Sequence, residues 1–155
     1  LAQQKQLDSS VHFVCVGEGP LKDDFARKIQ AANQQSRFTL LPATPNIPQL
    51  LQSADGFIMP SLFEGISVAL LEAQASALPC LISNTIAKES DMGLKLVSFL
   101  DFGDKAPWLE QLNHLPVVDL TDDDISAAFL EKGFSTEGVL RQLTAFYQPR
   151  EFTCS

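Results

Sequence analysis

The sequence predicts an α/β domain built on a doubly wound parallel sheet flanked by helices. Three observations carry that prediction. Short apolar runs alternate with helix-forming segments along the whole chain. No hairpin signal joins one apolar run to the next, so successive strands need crossover connections and lie parallel. Residues 55–84 spell out one complete unit of strand, turn, helix and strand.

Taken in order, residues 1–10 read as the end of a helix followed by a turn at Asp8-Ser9-Ser10. Val11 to Val16 is a strand of β-branched and aromatic residues. Gly17-Glu18-Gly19-Pro20 is a tight turn, with Pro20 suited to the first helical position. Lys22 stands where a dinucleotide-binding G-x-G-x-x-G would place its last glycine, so that fingerprint is absent. Leu21 to Asn33 is an amphipathic helix with Leu21, Phe25, Ile29 and Ala32 on its inner face. Phe38 to Leu41 is a strand, and Asn46 caps a short helix running to Ser53. Beyond the central unit the chain is polar and irregular to Gly93, then forms a strand from Leu96 to Leu100. Asp104 starts a helix with Trp108, Leu109 and Leu112 inside, and Val117-Val118 is briefly apolar. Thr121 caps a helix to Glu131, whose first turn places Asp122, Asp123 and Asp124 at the positive end of the helix dipole. Gly133 ends it. Ser135 caps a last helix to Tyr147, giving a helical tail over about residues 121–148.

In the central unit, Gly56 to Met59 is a short buried strand and Pro60 to Gly65 a turn. A helix follows from Ile66 to Ala77. It stops there because Leu78, before Pro79, avoids the helical region. Cys80 to Ile82 is the next strand. The helix is apolar on nearly every side, which predicts that it is largely buried. Yet it carries Glu72, with no Lys, Arg or His within four residues on either side. Burying an unpaired carboxylate costs roughly several kcal/mol. A distant cation, a backbone donor or the hydroxyls of a ligand must therefore satisfy it. Glu64 stands eight residues earlier, on the turn that feeds the helix. In an open α/β sheet such a turn lies at the carboxyl edge of the strands, where ligands bind. The free N–H groups of Gly65, Ile66 and Ser67 would face the same place, and a helix N-terminus favours phosphate.

The bulk numbers narrow the function classes. A chain of 155 residues is one domain, and 45% hydrophobic composition can build its core. Eleven basic against nineteen acidic residues give a net charge of −8, which argues against nucleic acid and against docking on an anionic membrane through bulk charge. Cys15 and Cys80 lie in apolar runs and read as buried thiols, with Cys154 a stray at the tail, in a reducing compartment. No Cys/His cluster suggests a metal. His12 and His114 lack acidic or cysteine neighbours at useful spacing, so neither reads as catalytic. No apolar run approaches the length of a membrane span, and the first residue is Leu1, as in a fragment.

Pro60-Ser61-Leu62-Phe63-Glu64-Gly65, the seven residues between Glu64 and Glu72, Glu72-Ala73-Gln74-Ala75 and Leu78-Pro79 together resemble the signature of retaining GT-B glycosyltransferases. More narrowly, they resemble the family-4 (glycosyl transferases group 1) type that builds bacterial capsular and exopolysaccharides. Val14-Cys15-Val16-Gly17-Glu18-Gly19-Pro20, Asn46-Ile47-Pro48-Gln49-Leu50-Leu51 and Thr85-Ile86-Ala87-Lys88-Glu89 extend the match on both sides, over roughly residues 10 to 150. The resemblance implies that residues 1–155 are one donor-nucleotide-sugar-binding domain, the Rossmann-like C-terminal half of a GT-B fold. It implies a cytoplasmic hexosyltransferase of surface polysaccharide synthesis. Its partners would be a UDP- or GDP-sugar donor, a saccharide or lipid-linked acceptor, and an N-terminal acceptor domain through which the longer protein meets the membrane. No metal or other cofactor is implied. By the same resemblance, Glu64 is the candidate catalytic residue, contacting a hydroxyl of the transferred sugar. Glu72 would accept hydrogen bonds from the ribose hydroxyls. Gly65, Ile66 and Ser67 would offer backbone N–H groups to phosphate or sugar, and Gly17 would line the donor cleft.

Plainer readings stay open beside these. Glu64 can be a solvated turn carboxylate, Glu72 can pair with a distant residue such as Lys88, and Ser67 can be only a cap. The Gly17 turn can be a simple strand-to-helix connection. Lys88 and Glu89 read as surface loop residues. The family's opening strand, with its diphosphate-holding Arg and Lys, would precede Leu1. It is a central strand, so without it the strands at Val11 and Phe57 become neighbours or flank a gap, and the isolated chain is expected to be inactive. Pro42 and Ala77 stand where the family usually has glycine, the second a mild change at a helix end. Two other functions remain: a non-catalytic remnant or interaction module, and another GT-B enzyme such as a sugar-nucleotide epimerase or a phosphorylase.

Overall fold

The structure, a computed structural model, describes residues 7–140. Residues 1–6, the course of the last helix beyond residue 140, and Cys154 lie outside the described residues.

Two parallel sheets form, each with its own helices. The first pairs β1 (Phe13–Val16) with β2 (Phe38–Leu41). The second runs β3 (Phe57–Met59), β4 (Cys80–Ser83), β5 (Val97–Leu100) in that spatial order. Both contain parallel pairs only, as expected for strands joined by crossovers.

The three-stranded sheet holds the core. All four residues of β4 are buried, the mark of a central parallel strand covered on both faces. Its side chains alternate between those faces. Cys80 and Ile82 pack with Leu70 and Ala73 of α3 (Val68–Ala75) and with Leu51 of α2 (Ile47–Gln52). Leu81 packs on the other face with Trp108 and Leu112 of α4 (Lys105–Asn113). The Trp108 indole N–H donates to the Asp101 carbonyl at 2.8 Å, which satisfies its one polar group. The Asp104 carboxylate accepts from Ala106 N at 3.0 Å and caps α4. Helices on both faces make this a doubly wound sheet.

The two-stranded sheet is covered by α1 (Lys22–Ala31). Phe13 and Phe38 are register partners and stack at 5.0 Å, with Phe25 of α1 edge-on to Phe38 at 6.0 Å. Ile29 is buried as predicted, but Leu21, Phe25 and Ala32 are exposed, Leu21 by 73%. α1 begins one residue later than predicted, so Leu21 precedes the helix and overhangs a sheet only two strands wide.

No pairing joins the two sheets among the described residues, so of the two expected outcomes at Val11 and Phe57 the gap is the one observed. One edge of β1 and one edge of β3 carry no strand. Val14 is 51% exposed, unusual for a parallel strand, whose faces are normally covered.

Three helices end alike. At α1, Gln34 N donates to Ile29 O and Asn33 N to Gln30 O, with Asn33 at φ 53°. At α3, Leu78 N donates to Ala73 O and Ala77 N to Gln74 O, with Ala77 at φ 55°. At α5 (Asp122–Glu131), Phe134 N donates to Phe129 O and Gly133 N to Leu130 O, with Gly133 at φ 77°. Each is a Schellman cap built on a left-handed residue. α5 opens on a capping box between Thr121 and Asp124, and Ser135 accepts from Gly138 N at 3.0 Å where residues 136–140 turn helical.

Candidate functional site

The turn between β3 and α3 carries most of the residues singled out by sequence. β3 ends at Met59 because Pro60 cannot continue a ladder that needs its N–H. The chain then runs through Leu62 and Phe63, which are 70% and 87% exposed, to Glu64. Glu64 is half-buried, and its backbone forms a parallel bridge with Ile86. Gly65 is exposed, and a Cβ built on it would meet nothing within 4 Å, so the space above its backbone is open. Ile66 is half exposed. Ser67 is buried and caps α3, its hydroxyl accepting from Leu70 N at 3.4 Å. That hydroxyl is occupied by capping, which leaves the Ser67 backbone as its candidate contact.

Glu72 corrects the sequence reading. The helix was expected to be largely buried, with an unpaired carboxylate inside it. α3 instead spans only Val68–Ala75, and Glu72 is exposed. Val68, Ala69 and Ala75 are exposed on the same helix, while Leu70, Ala73 and Gln74 face the core. Uniform apolar composition concealed a solvent-facing stripe, because no second layer among the described residues covers that side. Exposure removes the desolvation penalty, so Glu72 needs no internal partner. It has none among the described residues. Lys88, its suggested partner, places its ammonium 3.7 Å from the centroid of the Phe99 ring instead.

The turn is held from behind by the end of β4 and its connection to β5. Thr85 Oγ1 donates to Ser61 O at 2.9 Å, Ser83 Oγ to Met59 O at 3.4 Å, and Ser90 Oγ to Gly65 O at 3.3 Å. Gln74, fully buried in α3, donates to Ser90 O at 2.8 Å and to Leu70 O at 3.2 Å and accepts from Met92 N at 2.9 Å. The sequence reading gave these residues no role. The local signal was the one amide in the apolar stretch before Leu78.

Gly17 ends β1, in the other sheet. Its φ of 148° lies in the region that favours glycine, and its N–H donates to Leu41 O at 3.1 Å. It lines a cavity of about 380 Å³ with Val16, Pro20, Leu21, Phe25 and Leu41. The cation at its rim, Lys22, is already paired with Glu18 at 3.0 Å. Cys15 also lines it; it is half-buried rather than buried, and burial pushes its thiol pKa up. A second cavity, of about 420 Å³, lies between α3 and α5 against Ala75, Ile125 and Phe129. Neither cavity contains Glu64 or Glu72. The structure therefore groups Glu64, Gly65, Ile66, Ser67 and Glu72 on one turn-and-helix unit. No hydrogen bond or ion pair joins Gly17 to that unit among the described residues. Nor do those residues hold a His, Cys, Asp and Glu cluster able to bind a metal ion, or a helix long and apolar enough to cross a membrane.

Residues 1–115, which include this unit and the Gly17 turn, match the family model described as "Glycosyl transferases group 1". The chain belongs to that family. This group 1 glycosyl transferase chain is 37% identical over 112 residues to the Bacillus subtilis (strain 168) protein named "Putative glycosyltransferase EpsF", covering 72% of this chain and 29% of that protein. It is 44% identical over 73 residues to the Escherichia coli "UDP-Gal:alpha-D-GlcNAc-diphosphoundecaprenol alpha-1,3-galactosyltransferase", covering 46% of this chain and 19% of that one. The chain thus spans less than a third of the length of these relatives. Its parallel sheets flanked by helices fit the Rossmann-like half of a GT-B fold.

Proposed function

We propose that residues 1–155 form the donor-binding domain of a retaining glycosyltransferase that moves a hexosyl group from a nucleotide sugar to a saccharide or lipid-linked acceptor in surface polysaccharide synthesis. The observation that carries this reading is the placement of the family's two carboxylates. Glu64 and Glu72 stand on one turn and the helix it feeds, and neither is paired with a cation among the described residues. In this reading Glu72 accepts hydrogen bonds from the ribose hydroxyls and Glu64 from a hydroxyl of the transferred sugar. The backbone N–H groups of Gly65, Ile66 and Ser67, with the N-terminus of α3, face the diphosphate. Catalysis then rests on stabilising the negative charge that grows on the departing diphosphate and on holding the sugar toward its acceptor. Gly17 lets backbone approach the donor closely.

The name of one relative supports a donor class. It names UDP-Gal as donor and a diphosphoundecaprenol-linked sugar as acceptor. We extend the same chemistry to this chain: a UDP-hexose and a sugar on a lipid diphosphate, handled on the cytoplasmic side of the membrane. The open edges of β1 and β3, with Val14 and Val16 bare beside them, suit a parallel strand from the longer protein. Such a strand would join the two sheets into one and supply cations for the diphosphate.

The reading is tested by calorimetric titration of the chain with UDP and GDP, alongside Glu72→Ala. Saturable binding of one nucleotide, weakened at least about tenfold in the variant, is expected for a charge-assisted contact. No binding by the folded chain would reject a self-sufficient donor site. A binding module without turnover is the second reading. It draws on the commitment of Lys22 to Glu18 and of Lys88 to Phe99, which leaves neither of these cations to face a diphosphate. Nucleotide binding without sugar transfer by the longer protein would select it.

A further inference from the structure

We infer that Ser90 and Gln74 are positioning residues for the donor site: they fix the Glu64–Ser67 turn from behind, through a buried hydrogen-bond relay. The inference rests on the donor-binding reading of that turn.

The relay runs inward from the turn. The Gly65 carbonyl accepts from the Ser90 hydroxyl, and the Ser90 carbonyl accepts from the Gln74 amide. The Gln74 amide also reaches Leu70 O in its own helix, and its carbonyl oxygen accepts from Met92 N. Ser90 and Gln74 are each wholly removed from solvent. A buried polar chain of this kind is rigid when every member is satisfied, and no described side-chain atom in the buried set lacks a partner. Core packing does not require an amide at position 74, because Leu70 and Ala73 beside it are apolar. What the amide does is tie the segment around Ser90–Met92 to α3.

The consequence for the turn is geometric. Gly65 has open space above it and no side chain with which to anchor itself. Nearby Phe63 and the adjacent Ile66 are 87% and 52% exposed. Of the side-chain bonds that reach the turn, Thr85 to Ser61 fixes its start and Ser90 to Gly65 fixes its end. The second bond lies where the N–H groups meant for the diphosphate are presented. A carbonyl held from behind sets the peptide plane, and so orients the N–H that follows it, on Ile66.

The test combines backbone amide NMR relaxation with binding, on the full chain carrying Ser90→Ala, and with Gln74→Met as a volume-conserving second variant. The backbone order parameters of Gly65, Ile66 and Ser67 should fall below about 0.6 in Ser90→Ala, while those of β4 stay near the rigid value of about 0.85. Affinity for UDP-galactose should fall about tenfold while affinity for UMP, which lacks the β-phosphate and sugar, stays unchanged. Unchanged order parameters at residues 65–67 in both variants would overturn the inference. So would a loosened turn with equal losses for UDP-galactose and UMP, the pattern of general destabilisation. If the unmodified chain binds neither ligand, the donor reading fails by itself, and the relaxation data still decide whether the relay holds the turn.

Discussion

Ala77→Gly should stabilise the protein. Ala77 occupies the left-handed position of the Schellman cap that ends α3, at φ 55°. There an L-residue's Cβ crowds the following carbonyl, at a cost of about 1–2 kcal/mol. Glycine escapes that cost but gives the unfolded chain more freedom, which returns about 0.4–1 kcal/mol. The half-buried Ala77 methyl gives up a few tenths more, at about 25 cal/mol per Å² of apolar surface. The balance is a net gain of about 0.5 kcal/mol. For a domain of this size that is a rise of about 1–2 °C in Tm. Paired thermal and urea melts followed by circular dichroism would measure it, with the urea m-value unchanged. An equal or lower midpoint would refute the cost assigned to this backbone conformation. The sequence reading treated this replacement of the family's usual glycine as a mild change at a helix end. The dihedral gives it a definite sign.

The other predictions are independent of that one. Gly133→Ala, the reverse change at the equivalent position of α5, should cost about 1 kcal/mol in the same melts. Leu70→Ala, at a wholly buried site in the main core, should cost about 2–5 kcal/mol and broaden no transition. The side-chain and backbone bonds from Thr121 hold the Asp124 carboxyl below the usual carboxylate range. Its folded pKa is therefore below its unfolded one, so its contribution is fully present above the unfolded pKa and fades as pH falls through the folded one. Thr121→Ala should move the Asp124 titration upward, read by carboxyl NMR shifts. Burial, with a smaller effect from the charge of Asp91, pushes the Cys80 thiol up to about 12. Cys80 should thus stay unmodified by a disulfide reagent at mildly alkaline pH until the chain unfolds, as mass spectrometry of the labelled peptides would record.

Where a segment's neighbours are close in sequence, the sequence was a good guide. Phe38–Leu41 was read to the residue, because a β-branched and aromatic run sits between polar segments. α5 was legible from Thr121, three aspartates and Gly133, which encode both of its ends locally. The carboxylate unit from Glu64 to Glu72 was legible as a motif, and the structure keeps it on one turn and helix. Burial was less legible, because it depends on which layer is present. Leu21 and Glu72 were both placed by patterns that assume a covering neighbour, and each is exposed. The clamp of Thr85, Ser90 and Gln74 was invisible for another reason: its partners lie 16 to 25 residues apart, and no local period records them.

The most direct test of a donor site on the β3–α3 turn is residue-resolved. Amide NMR spectra of the isotopically labelled chain would be recorded while UDP, GDP and UDP-galactose are added. Saturable shifts of Gly65, Ile66, Ser67 and Glu72, with weaker ones at Gly17, are the predicted result. Shifts confined to the cavity between α3 and α5, around Ala75, Ile125 and Phe129, would contradict it, and so would spectra that all three ligands leave unchanged.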